Sequence, residues 1–169
     1  MKKHSGMRPQ DIVILLKMAI SPHNWLAKDL SNSLKISASE ISESLNRSAI
    51  AGLLSDDKKI LMKNSLLEFL EFGLKYVFPQ KPGAIVRGLP TAHSAPPLNQ
   101  LLQGGEIYVW PFARGEFRGQ SIEPLYRTVP EICSQDQELY ELLALTDALR
   151  FGKVREQNLA ITELRRRID

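Results

Sequence analysis

The chain has 169 residues, of which 43% are hydrophobic and 24% charged, and its formal net charge is +3. This length suits one domain or two small ones, and the composition is that of an ordinary globular protein. No apolar run reaches the roughly 18 residues that a membrane helix needs, and a single cysteine excludes a disulfide within the chain. The sequence therefore predicts a cytoplasmic protein with neither a signal peptide nor a membrane span.

Positive charge is concentrated in the first part of the chain. Residues 1–64 hold ten Lys and Arg against six Asp and Glu, whereas residues 65–169 hold twelve against thirteen. This asymmetry favours contact between the first part and a polyanion, although a solvated lysine-rich surface gives the same pattern. Residues 1–8 form a short basic arm that ends at Arg8.

Two helices are predicted after this arm. Pro9 suits the first position of a helix, because its missing N–H has no partner to lose there, and apolar residues follow it as far as Ile20. The next residues, Ser21 and Pro22, end this first helix. A second, shorter helix is predicted over residues 25–34, where leucines recur every four residues.

A third helix is predicted from Ser37 to Gly52. Ser37 and Glu40 have the spacing of a capping box, in which each side chain binds the backbone N–H of the other residue. Two short apolar runs, 53–54 and 60–62, surround the charged segment 55–59. They predict a β-hairpin with a charged tip.

Beyond residue 64 the sequence predicts a mixed, helix-rich region, opened by a helix that is apolar nearly all round and needs cover on two sides. The predicted elements are a helix over 65–78, a Pro- and Gly-rich loop over 79–97, a helical turn over 98–102, a strand over 106–110, a loop or hairpin over 111–121, a short helix over 123–126, and helices over 136–150 and 153–168.

Residues 29–53 resemble the winged helix-turn-helix of bacterial transcriptional regulators, including MarR-like ones. The shared pattern is Leu30-Ser31, Leu34, Ile36-Ser37 at the turn, Ile41-Ser42, Leu45 and a closing Ala51-Gly52-Leu53. The chain departs from it at Lys35, where such motifs often carry glycine, and at Ser48, where a third leucine is usual. The resembling head covers about residues 9–63, and the remainder resembles only uncharacterised bacterial proteins with the same head.

The expected fold class is α+β, mainly helical with a small β component. We expect a winged helix-turn-helix in residues 1–64, a connecting apolar helix in 65–80, and a mixed, helix-rich region in 81–169 that serves dimerisation or partner binding.

The resemblance implies that the third helix enters the major groove of double-stranded DNA and that the hairpin, or wing, reaches the backbone beside it. Serine, asparagine and glutamate suit base edges, whereas cations suit phosphates. Carried over by position, the expected DNA-binding residues are Ser37, Ser39, Ser42, Glu43, Asn46 and Arg47 on an exposed helix face, Lys58 and Lys59 on the wing, and Arg8 on the arm. Lys2 and Lys3 of the arm are likewise expected to suit phosphate.

The implied function is sequence-specific DNA binding by a transcriptional regulator, acting as a homodimer through the helix 65–78 or the two C-terminal helices. The alternative is an interaction or adaptor protein, such as the neutralising partner of a toxin. Its working surfaces would be the loop 79–97 and the helices within 136–168. A winged helix used only for protein contacts also accounts for Glu43, which adds negative charge to the third helix.

No catalytic site, cofactor or metal ion is expected. The three histidines, His4, His23 and His93, are isolated, and no Cys and His pair has the spacing of zinc ligands. His93 fits a loop histidine bound to backbone better than a general base, and Cys133 fits a small buried hydrophobe.

Three further segments carry weak signals. Residues 114–119 contain two glycines but lack the spacing of a phosphate-binding loop. The arginines at 165–167 fit a solvated helix end. Aromatic residues of the second half fit a small core under a long loop better than a ligand pocket; they are Trp110, Phe112, Phe117 and Tyr126.

Overall fold

A computed structural model describes residues 6–21 and 25–169. The fold is α+β, as predicted: helices dominate, and the described residues hold one small three-stranded sheet in the second half. The expectations for Lys2 and Lys3 in the arm, for Pro22 as a helix end, and for His4 and His23 lie outside the described residues. No helix in the described part of the chain combines the length and apolarity needed to cross a membrane.

The secondary-structure elements follow one another in a simple order. They are α1 (Pro9–Ile20), α2 (Ala27–Leu34), α3 (Ala38–Ile50), α4 (Lys63–Phe72), α5 (Leu74–Val77), β1 (Ile85–Pro90), a 3-10 turn (Ala92–Ser94), α6 (Leu98–Leu101), β2 (Tyr108–Pro111), β3 (Phe117–Ser121), α7 (Val129–Cys133), α8 (Gln137–Phe151) and α9 (Val154–Ile168).

Helix α1 begins at Pro9, as the sequence predicts, and its first turn is capped by an acidic side chain. The carboxylate of Asp11 accepts the backbone N–H of Arg8 at 2.8 Å. The helix is buried without interruption from Asp11 to Leu16. It packs against both α3 and α8, so a helix of the first part supports elements of both halves.

The connection between α2 and α3 is a tight turn at Lys35. This residue has φ 54° and ψ 42°, a left-handed conformation that costs a non-glycine residue about 1 kcal/mol. Glycine would adopt it freely, which is the physical reason that glycine suits this position. The Ser31 hydroxyl donates to the carbonyl of Ile36 and holds the turn closed.

Helix α3 ends at Ile50, and Gly52, the glycine predicted to close it, follows the C-cap residue Ala51. Gly52 has φ +83°, and the Leu53 N–H returns to the carbonyl of Ser48 at 2.9 Å, a common helix-ending geometry. The two apolar runs that follow meet in one antiparallel bridge between Leu54 and Leu61. The contact is thus much shorter than a regular hairpin ladder.

The apolar helix predicted over 65–78 is broken at Gly73 into α4 and α5. Its inward side is buried, through Leu66, Leu67, Leu70 and Leu74. The outward side is apolar but uncovered: Phe72 is 64% exposed, Tyr76 73% and Val77 50%. Within residues 6–21 and 25–169, the helices α4 and α5 are therefore covered on one side, whereas their composition predicts cover on two.

The three strands pair with one another in a closed cycle. β1 is antiparallel to both β2 and β3, while β2 and β3 are parallel. Leu89 faces Trp110 across the first pair, and Arg87 faces Arg118 across the second. The sequence placed β1 inside a loop, began β2 two residues early and left 111–121 open between a loop and a hairpin. The loop prediction for residues 85–90 is wrong.

Three glycines allow the strands and their loop to approach closely. A Cβ atom on Gly88 would lie 2.0 Å from the carbonyl oxygen of Trp110. The same atom on Gly115 would lie 2.2 Å from the carbonyl oxygen of Gly88, and on Gly119 it would lie 2.5 Å from that of Ile107. Backbone atoms cannot yield as a flexible side chain can, so no larger residue fits these positions unless the strands move apart.

Helix α8 forms the centre of the second half. Asp136 caps it by accepting the Leu139 N–H at 3.1 Å, and the helix is buried on nearly every side from Leu139 to Arg150. The expectation that residues 136–150 present a working surface to a partner is therefore corrected; within 136–168, the exposed residues lie mainly on α9. The short helix predicted over 123–126 is absent, and α7 lies a few residues later.

Polar contacts tie the two halves together beside a shared hydrophobic core. Lys17 Nζ lies 2.7 Å from Asp136 Oδ2, and the Thr128 hydroxyl donates to the Leu34 carbonyl at 2.8 Å. Lys35 forms an ion pair with Glu131. The division of the chain at residues 64 and 80 stays a prediction.

Candidate nucleic-acid interface

The outward side of α3 presents the polar residues that the sequence predicts, with one exception. Ile41 and Leu45 on its inward side are buried against α1 and α2. The hydroxyl of Ser37 accepts the Glu40 N–H at 3.2 Å, so the first turn is capped as expected. The residues exposed along the outward side are Ser37, Ser39, Ser42 and Glu43. Asn46 is half-buried.

Arg47 is the exception, and its predicted exposure is wrong. Only 5% of the residue is accessible, because its guanidinium forms a two-point ion pair with Asp11. Arg47 Nε lies 3.0 Å from Asp11 Oδ2, and Nη2 lies 2.8 Å from Oδ1. Ser44 donates to the same carboxylate at 2.6 Å. This pair fixes α3 to α1 and leaves Arg47 unable to reach a phosphate in this structure.

Glu40 takes part in the same network rather than in a reciprocal capping box. Its Oε1 accepts from Arg47 Nη2 at 2.8 Å and from Gln10 Nε2 at 3.0 Å. The hydrogen bond from Arg47 lowers the pKa of the Glu40 carboxyl below its ordinary range, against the opposing effect of burial. The expectation that Glu40 binds the Ser37 N–H is corrected: a cation two turns later attracts it more strongly.

The tip between Leu54 and Leu61 is an ordered turn. Asp57 accepts from the Ser55 hydroxyl at 2.6 Å and from the Lys59 backbone N–H at 3.1 Å, and these bonds lower the pKa of its carboxyl. Lys58 is half-buried with φ +62°, whereas Lys59 is exposed. Asp56 and Asp57 stand beside the two lysines, so the tip carries no net positive charge.

Two other cations stand at the beginning of α3. The side chain of Arg8 is 51% exposed, and its guanidinium lies 4.0 Å from Glu40. Lys35 binds Glu131 of α7, and this contact lowers the pKa of the Glu131 carboxyl. Among the exposed residues on the outward side of α3, the charged one is Glu43, whose side chain is 60% exposed. A polyanion at this side would therefore meet cations around the helix rather than on its face.

His93 and Cys133 lie where the sequence predicts. His93 Nε2 is 2.8 Å from the carbonyl oxygen of Glu106, so it is a loop histidine bound to backbone. The structure adds an acidic neighbour that the sequence did not indicate, since Nδ1 lies 3.3 Å from Glu156 of α9. Cys133 is 2% exposed, and burial raises the pKa of its thiol, as expected of a structural cysteine.

The aromatic residues of the second half do not line one pocket. Trp110 is buried, and its indole N–H donates to Asp147 at 2.7 Å. Phe112 lies under the guanidinium of Arg114, whereas Phe117 is 51% exposed. Trp110 thus belongs to a core, as favoured, but Phe117 does not.

The carboxylate of Asp147 is fully satisfied inside the protein. Besides Trp110 it accepts from the Thr91 hydroxyl at 2.7 Å and from Arg150 Nη1 at 2.9 Å. Arg150 also donates to the carbonyls of Phe78 and Glu123. This buried network orients the β-sheet and α8 with respect to each other, and all its members have structural partners.

Sequence reasoning missed two cations that the structure brings together. Arg87 and Arg118 are exposed and directly opposite each other on β1 and β3. The residues around Arg87 and Arg118 do not indicate that the two lie opposite each other. Arg87 lies in a segment predicted as a loop, and Arg118 lies in one predicted as a loop or hairpin.

The described residues contain no group of three or more His, Cys, Asp and Glu side chains that could hold a metal ion. Comparison of the chain with protein-family models, with curated proteins and with solved structures gives no match.

Proposed function

We propose that this chain binds double-stranded DNA and acts as a cytoplasmic, non-enzymatic transcriptional regulator of the winged helix-turn-helix type. In this proposal α2 supports α3, α3 faces the major groove, and the turn between Leu54 and Leu61 is a short wing. The observation that carries the proposal is the outward side of α3. It is polar, it is not covered by the second half, and its opposite side is fixed to α1 by the Arg47–Asp11 ion pair.

Asn46 and Ser42 are the residues best placed to distinguish bases. An asparagine side chain can bind two edge atoms of adenine, and one such contact is worth about 1–3 kcal/mol of discrimination. Neither side chain has a hydrogen-bond or ion-pair partner within residues 6–21 and 25–169. Both remain available to a ligand.

Replacing Ser42 and Asn46 together with alanine is expected to weaken binding to a specific site at least tenfold, because a 1.4 kcal/mol loss is a tenfold change. Fluorescence anisotropy would be measured with genomic fragments that include the chain's own promoter. Asn158→Ala is the matched control, since Asn158 is an exposed asparagine on α9. Absence of salt-sensitive binding by the unaltered protein, or equal affinities for all three proteins, would rule the proposal out.

A homodimer is the second part of the proposal, and the uncovered side of α4 and α5 supports it. Phe72, Tyr76 and Val77 together expose more apolar surface than isolated surface residues do. An aromatic side chain removes about 150–250 Å² of surface from water when it is buried. Two copies joined here would present two α3 helices to one duplex.

Phe72→Glu with Tyr76→Glu is expected to convert a dimer into a monomer, because four carboxylates would meet at the interface. Sedimentation equilibrium would give the mass, and circular dichroism would show that the helices persist. Val154→Glu is the matched control, since Val154 is 72% exposed on α9. A monomeric unaltered protein at micromolar concentration, or dissociation by the control alone, contradicts the prediction.

An adaptor that binds a protein partner is the second candidate. The observation that favours it is the charge of α3: with Arg47 buried, the outward side carries Glu43 and no cation. A stoichiometric protein partner that binds the purified chain, together with no affinity for duplex DNA, would select this function over the first.

A further inference from the structure

An arginine pair stands on the outside of the small β-sheet. Arg87 of β1 and Arg118 of β3 are direct partners in an antiparallel register. Directly opposed residues project to the same face, with Cβ atoms about 4.5–5.5 Å apart. Both residues are exposed. Two positive charges are thus held side by side on a rigid element.

This arrangement opposes stability. Like charges directly opposite each other on neighbouring strands repel. Neither guanidinium has a hydrogen bond or an ion pair with any residue of 6–21 or 25–169. Stability alone does not favour such a pair, whereas external anions bound to the two guanidinium groups would relieve the repulsion.

A third arginine extends the pair toward α3. Arg114 precedes β3, and its guanidinium lies over the ring of Phe112, 5.2 Å from the ring centre. The Phe112 N–H donates to the carbonyl of Arg87 at 3.1 Å. The loop that carries Arg114 is therefore attached to β1 beside the arginine pair.

Glu131 connects this loop with the beginning of α3. Its Oε1 binds Lys35 Nζ and lies 4.0 Å from Arg114 Nη2. Lys35 is the turn residue two positions before the Ser37 cap of α3. A line of cations thus runs from that turn through the Arg114 loop to the pair on the sheet.

The carboxylates near this line do not neutralise it. Glu131 is shared by Lys35 and Arg114, and Glu116 lies between Arg114 and Arg118 in the sequence. Four cationic side chains therefore stand against two carboxylates. This surface is positively charged, whereas the outward side of α3 carries no cation. A polyanion that lies along both would therefore meet complementary charge on this surface.

We propose that Arg87 and Arg118, with Arg114, bind the phosphodiester backbone of the same duplex whose groove faces α3. The proposal rests on the proposed function and adds to it a phosphate-binding surface on the second half of the chain. Guanidinium groups suit this ligand because they bind phosphate oxygens through two parallel N–H donors.

Arg87→Gln with Arg118→Gln is expected to weaken binding of a 20-base-pair duplex and to make it less salt-dependent. Each lost phosphate contact reduces the slope of log K against log salt by about 0.9, so two reduce it by about 1.8. Between 50 and 200 mM salt the unaltered protein should then lose about twelvefold more affinity than the variant. Arg155→Gln with Arg166→Gln removes the same charge from α9 and should leave the slope unchanged.

The outcomes separate this proposal from the function on which it rests. A reduced slope with Arg87→Gln/Arg118→Gln supports it, whether or not Ser42→Ala/Asn46→Ala changes affinity. An unchanged slope overturns it even where the α3 variant loses binding, and an unaltered protein that does not bind the duplex overturns both. Polyglutamate is the probe for an acidic protein partner. If the unaltered protein binds polyglutamate but not the duplex, and the arginine variant does not bind polyglutamate, the phosphate-binding proposal is overturned in favour of such a partner.

Folding of the arginine variant has its own readout. Because the substitutions remove a repulsion between exposed side chains that have no partner among the described residues, the midpoint of urea unfolding should stay the same or rise slightly. A loss of affinity therefore reports binding rather than damage to the fold.

Discussion

Gly88→Ala is expected to destabilise the protein by about 3 kcal/mol, the upper range for forcing an extra carbon into a packed site. The added Cβ would lie 2.0 Å from the carbonyl oxygen of Trp110 and would force β1 away from β2. Because Trp110 also donates to Asp147, the displacement would disturb the network that holds the sheet on α8. Urea unfolding followed by circular dichroism measures the loss.

Gly104→Ala separates this clash from the general effect of replacing a glycine. Gly104 has φ +77° and open space around it, so alanine there should cost only about 1 kcal/mol, from backbone strain. Gly119→Ala, whose Cβ would meet the Ile107 carbonyl at 2.5 Å, should behave like Gly88→Ala. Equal losses at Gly88 and Gly104 would contradict close strand approach as the cause.

Arg47→Met is expected to cost about 3–5 kcal/mol of unfolding free energy, because it leaves the carboxylate of Asp11 buried without its cation. Asp11 has no solvent-accessible surface, so water cannot replace the guanidinium. Adding Asp11→Asn should restore most of the loss. The asparagine oxygen can still accept the Arg8 N–H, and its amide can donate to Ser44, both of which contact Asp11 in the unaltered protein.

The same double variant tests the corrected position of Arg47. Since Arg47 is an internal ion-pair partner, Asp11→Asn/Arg47→Met should bind duplex DNA with the salt slope of the unaltered protein. A slope reduced by about 0.9 would show instead that Arg47 leaves the network and contacts a phosphate.

Acid stability adds a further readout of this network. The pKa of Glu40 is below its ordinary value of 4.5, mainly because Arg47 donates to its carboxylate. Between the two values the unfolded chain binds more protons than the folded one, so stability falls as the pH decreases below about 4.5. Arg47→Met should reduce the part of this acid dependence that comes from Glu40, because the largest of the interactions that lower its pKa is lost.

Local signals predicted the helices of the first half, because capping and helix-ending geometries depend on a few adjacent residues. Pro9, Ser37 and Gly52 each stand where the structure begins, caps or ends a helix. Strand β1 was missed because Val86, Gly88 and Pro90 give no alternation that indicates a strand. Its structure depends on pairing with segments about 20 and 30 residues away.

The burial of Arg47 had a signal in the sequence that was not used. Asp11 stands at the beginning of the apolar run of α1, and a carboxylate buried there requires a cation. Arg47 was instead carried over by position from the resemblance to winged helix-turn-helix regulators, and it was therefore expected on the exposed side of α3. The identity of its partner, 36 residues earlier, depends on how α1 and α3 pack.

The contacts between the halves also set a distance. Lys17 binds Asp136 and Thr128 donates to Leu34, so α1 and α2, which pack against α3, are linked to α8 and α7. Because Trp110 of β2 also binds Asp147 of α8, we expect α3 and the sheet to keep a fixed separation. A duplex bound to both must offer a groove and a stretch of backbone at one separation, which its own curvature and groove width decide. In the proposed complex, this fixed separation would favour DNA sequences with suitable flexibility, even at base pairs that no side chain contacts.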